Sequence, residues 1–298
     1  MEDTPAIATL DLRKTYGSVE ALRGLTLEVP RGSIHGFLGR NGAGKTTTIK
    51  ILLGMTRPSG GSARVLGRSA DDPRASVEIR RRVGFVSEDK RLYDAMTTDE
   101  MLRFTASAYP AWRADLQQHY VRTFELRPGA RVRTLSRGVR TLLALTLALC
   151  RGAELLMLDE PTSGLDPAMV EAVLQALVRH VAREESTIFF SSHQIAEVEQ
   201  IADSLAIVHR GRVRAAGELD ELLGRYRRLQ LVFAGEAPPG FSAPGILRTR
   251  REGRTLTVFS SVGSDGLLDA ARALGPVSVD VAPLNLKEIF LETVGTED

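Results

Sequence analysis

A chain of 298 residues, 43% apolar and 26% charged, has room and material for one large domain or for a large and a small one. Lys and Arg outnumber Asp and Glu by only two (39 against 37), so no global field points to nucleic acid. A single cysteine, Cys150, excludes an internal disulfide and a cysteine metal cluster and fits a reducing interior, where it reads as a small buried hydrophobe.

The opening thirty residues lack the basic start and apolar run of a signal peptide. No uncharged apolar run approaches the ~20 residues that a membrane helix needs; the longest, 141–150, is far too short. Any membrane role therefore has to go through a partner.

Alternating apolar residues at 6–12 and 25–29 predict antiparallel strands. The apolar run 34–39 stops at glycine, and "KTTTIKILLGM" then predicts a helix ending near Gly54. A buried strand is expected within 81–88, followed by helices at 98–108, 112–126 and 136–149. After them come strand, helix, strand, helix and strand: "AELLMLDEP", 167–183, "STIFFSS", 194–201 and "DSLAIVHRG". Strand–helix alternation predicts an α/β fold with a largely parallel sheet, interrupted by a helical insert at about 95–150. Pro and Gly cluster at 225–245, and beyond them "RTLTVFSS", "DGLLDAARAL", "VSVDVAP" and "LKEIFLETV" read as a small α+β appendage. The expected division is 1–225 and 226–298.

Chemistry enters with "GRNGAGKTT" (39–47), which fits G-x-x-x-x-G-K-[ST] after a strand and at the opening of a helix. Gly39, Gly42 and Gly44 let the backbone curl so that successive N–H groups face one anion, and the helix start adds partial positive charge. Lys45 reaches the outer phosphates, and the Thr46 hydroxyl suits a Mg²⁺ shell. Four apolar residues in "ELLMLDEP" form a buried strand ending in Asp159, suited to hold Mg²⁺ through water. Glu160 follows, suited to act as general base on the attacking water. His193 ends another buried strand, where it could hydrogen-bond a γ-phosphate.

This set resembles the nucleotide-binding subunit of an ABC transporter over roughly residues 6–224, a P-loop NTPase core with an antiparallel β subdomain and a helical subdomain. The resemblance makes Gly39, Asn41, Gly42, Ala43, Gly44, Lys45, Thr46 and Thr47 the Walker A phosphate loop, with Asp159 and Glu160 as the Walker B acid and the catalytic Glu. It makes "SGLD" (163–166), with Asp166, the D-loop, His193 the switch histidine, and Tyr16 in "KTYG" the aromatic that stacks on adenine. "LSRGV" (135–139) falls where the family keeps its signature, usually LSGGQ. Ser136 and Gly138 match it, while Arg137 replaces the first glycine and Val139 the glutamine. Glu88 stands where the Q-loop glutamine contacts Mg²⁺. Arg137 brings a positive charge where ATP brings negative ones and could offset Glu88 across a dimer.

The resemblance implies ATP and Mg²⁺ as cofactors. The family works as a dimer in which each signature covers ATP on the other subunit's P-loop, so a second ATPase subunit is expected, with a homodimer favoured. A separate integral-membrane permease is the other partner, with no nucleic acid, and the location is cytoplasmic, on the inner face of the cell membrane. The groove beside the Q-loop receives a cytoplasmic helix of the permease, and Leu92, Tyr93 and Met96 are the apolar candidates for that contact. The tail "NLKEIFLETV" (285–294), with the "LSRG" signature and the acidic Q-loop, is similar to bacterial ABC-2-type systems that export or extract drugs, lipids or glycans. An importer ATPase or a non-transport ABC ATPase is the alternative. Residues 226–298 carry no P-loop, acid pair or His, which points to a dimer-stabilising or regulatory role.

Overall fold

The computed structural model describes residues 4–262 and 265–295. The expected domains extend over residues 1–3, 263–264 and 296–298 as well, which lie outside the described residues. The chain divides into two compact units, Met1–Val213 and Arg214–Asp298.

The first unit opens with β1 (Ile7–Tyr16), β2 (Val19–Val29), β3 (Ile34–Leu38), α1 (Lys45–Leu52), β4 (Gly60–Val65), β5 (Arg68–Ser69), α2 (Pro73–Arg82) and β6 (Val83–Val86). A helical stretch follows: α3 (Thr98–Ala108), α4 (Ala114–Thr123), a 3-10 turn (Val132–Thr134) and α5 (Arg137–Leu149). Then come β7 (Leu155–Asp159), α6 (Pro167–Glu184), β8 (Thr187–Ser192), α7 (Ile195–Ile201) and β9 (Ser204–His209).

Two sheets organise these elements. One is antiparallel, in the order β2-β1-β4-β5. In the other, β9, β3, β8, β7 and β6 lie side by side in that order and run parallel. Every residue of β3, β7 and β8 is buried, as parallel strands covered on both faces require. Their near-continuous apolar runs are the cause. The core beneath them includes Phe37, Ile49, Met157 and Phe189.

Sequence reading places most of these elements correctly and misses some. β1 and β2 run longer than 6–12 and 25–29, because a two-residue turn with Gly17 at φ 57° joins them directly. The helix expected over 112–126 is shorter, Ala114–Thr123. α2 is not anticipated: it buries only Ser76 and Ile79, too narrow a stripe to read, although Asp72 caps it and Pro73 opens it.

β10 (Arg212–Glu218) carries the division, which therefore falls earlier than the 225/226 boundary expected from composition. The second unit continues with α8 (Leu219–Arg225), β11 (Arg227–Val232), β12 (Ile246–Glu252), β13 (Thr255–Ser260), α9 (Asp265–Arg272), β14 (Ser278–Pro283) and α10 (Leu286–Val294). Its sheet is antiparallel, β12-β13-β11-β14. The boundary moves because α8 belongs with this sheet: it touches β14, and Leu284 N–H donates to the Tyr226 carbonyl just past its end, at 3.2 Å. Leu229, Leu231, Leu256 and Val258 bury one face together with Leu267 and Ala271 of α9. At the start of α10, Asn285 and Glu288 cap each other's backbone N–H groups.

Candidate nucleotide site

The carboxyl ends of β3, β8 and β7 lie in one row. Leu38 pairs with Ser192, and Ser191 pairs with Asp159. In open α/β sheets ligands bind beyond these ends, and here each end carries a functional segment.

From β3 the chain enters the loop 39–44 and then α1. Gly44 takes φ 108° at the helix N-cap, and a Cβ there would lie 2.7 Å from Leu22 Cδ2 and 2.9 Å from the Ala21 carbonyl. A Cβ on Gly39 would meet the Val208 carbonyl at 2.6 Å, and Gly42 takes φ 80°. The loop exists because these residues have no side chain. Ala43, buried, closes the turn through its N–H to the Arg40 carbonyl.

Lys45 is buried and folds back along the loop, donating to the Gly39 carbonyl at 2.7 Å. Its Nζ also stands 3.1 Å from Glu160 Oε1, close enough for an ion pair though not aligned as a hydrogen bond. A cavity opens above this lysine. The loop contributes Asn41, Gly42 and Gly44 to its wall, α1 contributes Lys45, Thr46 and Thr47, and Glu88 and Glu160 complete one side. Across it stand Tyr16 and Val19, paired at the tip of the β1–β2 hairpin and both exposed. Lys14 Nζ lies 4.8 Å from the Tyr16 ring centroid.

The acids are held from beneath. Asp159 is 1% exposed, and its Oδ1 accepts from Ser191 Oγ at 2.6 Å. The same Oγ accepts from Glu160 N–H at 3.1 Å. Glu160 has φ 50°, a left-handed backbone rare for a residue with a Cβ. From there Oε1 faces Lys45, and Oε2 accepts from His193 Nδ1 at 2.7 Å. Asp159 and His193 thus serve the cavity through what they touch, while Gly39 and Ala43 shape its loop.

Ser136, Arg137, Gly138 and Asp166 are not part of this wall. Ser136 caps α5, its Oγ accepting from Val139 N–H at 3.2 Å, and Asp166 caps α6 by accepting from Met169 N–H at 3.0 Å. Gly138 is a packing glycine too: a Cβ there would meet Met169 Sδ at 2.7 Å. Arg137 lies over Gly164 and donates to Ser163 Oγ at 3.4 Å, so within the chain it is set on the segment between β7 and α6.

Two residues escape sequence reading. Ser191 looks like part of a buried strand, and only its place opposite Asp159 shows its task. Lys90, 4% exposed, donates to the carbonyls of Glu160 (3.0 Å) and Glu88 (3.2 Å). Burial lowers its pKa, and Arg137 pushes the same way; the charges of Glu88, Asp159 and Glu160 oppose the shift. Beside it runs a second groove, whose lining includes Phe85, Lys90, Leu92, Thr105, Leu147 and Arg151. Of the expected contact residues, Leu92 lies in this lining. Tyr93 is exposed at its margin, edge-on to exposed Phe104 at 5.5 Å, and Met96 is half-buried.

The family described as ABC transporter matches residues 22–163. The bacitracin transport ATP-binding protein BcrA of Bacillus licheniformis is 36% identical over 74% of this chain and 72% of its own length. The Nod factor export ATP-binding protein I of Cupriavidus metallidurans is 32% identical over 99% of both chains. The chain belongs to the ABC transporter ATP-binding proteins.

It is an ATP-binding subunit of an ABC transporter and an ATPase. A solved ATP-binding subunit of an ABC transporter is 31% identical, with a TM-score of 0.66 over 73% of this chain and 91% of that one. The dimeric cassette MJ0796, solved with ADP and Pi, shares the fold with a TM-score of 0.65 at 21% identity, over 72% of this chain and 98% of that one.

The residues present fit a nucleotide and its cation. The glycine loop curls where Cβ atoms on Gly39 and Gly44 would collide with the packed chain behind it. Thr46 and Glu88 line the cavity with hard oxygen donors, and Asp159 lies buried next to Glu160 of that lining. No group of three His, Cys, Asp or Glu able to hold a metal occurs among the described residues. Among the described residues no helix is long and apolar enough to cross a membrane.

Proposed function

We propose that this subunit powers a separate membrane permease of the ABC-2 type that exports or extracts a drug, lipid or glycan. The observation that carries the reading is the alignment with a Nod factor export ATP-binding protein over 99% of both chains, second unit included. The bacitracin transport relative supports the same class. The chain acts as a dimer on the inner face of the membrane, with Ser136, Arg137 and Gly138 of each copy covering ATP held by the other.

In hydrolysis Glu160 accepts the proton of a water that attacks the γ-phosphorus, and the bond to the β-phosphate oxygen breaks to release ADP. Lys45 and the N–H groups of the glycine loop hold the phosphates, while His193 orients Glu160 and meets the γ-phosphate. Tyr16 stacks on adenine. Thr46, Asp159 and Glu88 would hold a Mg²⁺ ion, which when bound would supply positive charge against the nucleotide's phosphates. Permease contact falls on the groove by Leu92, with Tyr93 and Phe104 offering an aromatic pair.

Co-expression with an ABC-2-type permease that co-purifies with this chain, followed by transport in inside-out vesicles, tests the assignment. ATP-driven accumulation of substrate inside such vesicles is the export result. ATP-driven depletion would make the subunit an importer ATPase. Tyr93→Asp should break co-purification with the permease while the ATPase rate survives; intact co-purification and transport would remove Tyr93 from the contact.

A further inference from the structure

Lys90 stands in the loop after β6, seventy residues from Glu160 in sequence, yet its ammonium donates to the Glu160 carbonyl at 3.0 Å. That carbonyl also accepts from Ser163 N–H at 3.2 Å. Ser163 in turn receives Arg137 through its Oγ, and the Glu88 carbonyl receives Lys90. One carbonyl therefore gathers donors from the Q-loop and the D-loop, with the signature arginine one bond away.

The held peptide needs holding. Glu160 sits at φ 50° and Lys90 at φ 47°, left-handed backbones that persist only where surroundings impose them. Pro161 follows Glu160, so the next peptide has no N–H to contribute to a turn. A neutral side chain of similar length would fill the same space without burying an ammonium against the charge of Arg137. Burying a charge is unfavourable unless it is well bonded, so volume alone gives no reason for lysine here.

We propose that Lys90 is a positioning residue for hydrolysis: it fixes the left-handed turn at Glu160 from which one carboxylate oxygen faces Lys45 and the other His193. The proposal rests on the reading of Glu160 as the base. Because Lys90 also lines the groove beside the Q-loop, the groove and the base share this side chain.

The test measures kcat with Mg²⁺ and ATP, the Kd for ATP, and thermal unfolding for the full chain and for Lys90→Met, Lys90→Arg and Glu160→Gln. Misplacing a reacting group by about 1 Å costs roughly 10²-fold in rate. Lys90→Met should therefore lose about 30- to 100-fold in kcat, with Kd within about threefold of wild type. Lys90→Arg, which keeps a charged donor, should recover at least about tenfold of that loss. A folded Lys90→Met with kcat within about twofold of wild type overturns the proposal, as does a parallel loss of kcat and ATP affinity. Should Lys90→Met not fold, Lys90→Gln replaces it. If both are unfolded while Lys90→Arg is folded and active, the ammonium serves the fold and the proposal fails. Glu160→Gln separates the two readings: wild-type turnover in that variant removes Glu160 as base, whatever the lysine variants do.

Discussion

Glu160 and Asp159 differ by one position, and Ser191 holds one by its backbone N–H and the other by its carboxylate. Its hydroxyl donates to the Asp159 carboxylate and accepts from the Glu160 backbone, so one side chain fixes the carboxylate we propose as a cation ligand and the start of the turn that aims the proposed base. Ser191→Ala leaves both groups buried and unmet, a cost of roughly 1–3 kcal/mol. Urea unfolding should show that loss, and ATPase turnover should fall about tenfold or more while ATP binding persists. Unchanged turnover in a destabilised protein would confine Ser191 to the fold. Arg137 is the other residue whose place matters. Charge-assisted contacts contribute roughly 1.5–3 kcal/mol when well placed, so Arg137→Gly should weaken ATP-driven dimerisation about tenfold or more, read by sedimentation with ATP. Near-neutral dimerisation would leave Arg137 with only its contact to Ser163. Much of this grouping was legible: spacing pointed to the glycine loop, Lys45, Thr46 and Glu160, which line one cavity, and to Asp159 and His193, which bond to Ser191 and Glu160. Ser191 and Lys90 were not, because their roles come from chain segments that meet only in the fold.

At the scale of elements, buried strands read well because parallel strands covered on both faces are runs of apolar residues. α2 and β4 did not, since one buries two residues and the other begins with two glycines. The buried elements also hide titratable groups. Burial pushes His35 of β3 down to about 3, and burial with the charges of Arg113 and Arg183 pushes His180 of α6 down to about 4. Both are neutral in the folded chain, while the unfolded chain takes up their protons near pH 6.5. The unfolded state binds more protons below that pH, so stability falls as pH drops from about 6.5 toward 4. Each histidine contributes a slope of up to roughly 1.4 kcal/mol per pH unit. Urea midpoints at pH 7 and pH 5 should show the loss, and His35→Asn should lose less. An equal slope in that variant would mean His35 is not buried neutral.

At the scale of the whole chain, each unit has its own core, one beneath β3, β7 and β8, the other between β11, β13 and α9. A chain ending at Glu218 should therefore fold and bind ATP with near wild-type affinity, measured by nucleotide titration. We assign the second unit to dimer stability or regulation, so dimerisation or its control should change in the same shortened chain. The presence of two units was legible from the Pro/Gly change in style. Their boundary was not, because α8 joins the second sheet through contacts that composition does not record. ATP hydrolysis with Glu160 as base is the step on which every other role depends. Its most direct test is multiple-turnover Mg²⁺-ATPase of wild type against Glu160→Gln, with ATP binding measured on both. The amide cannot accept the water's proton, so Glu160→Gln should bind ATP and lose turnover by about 10²-fold or more. Turnover at the wild-type rate would contradict Glu160 as the base.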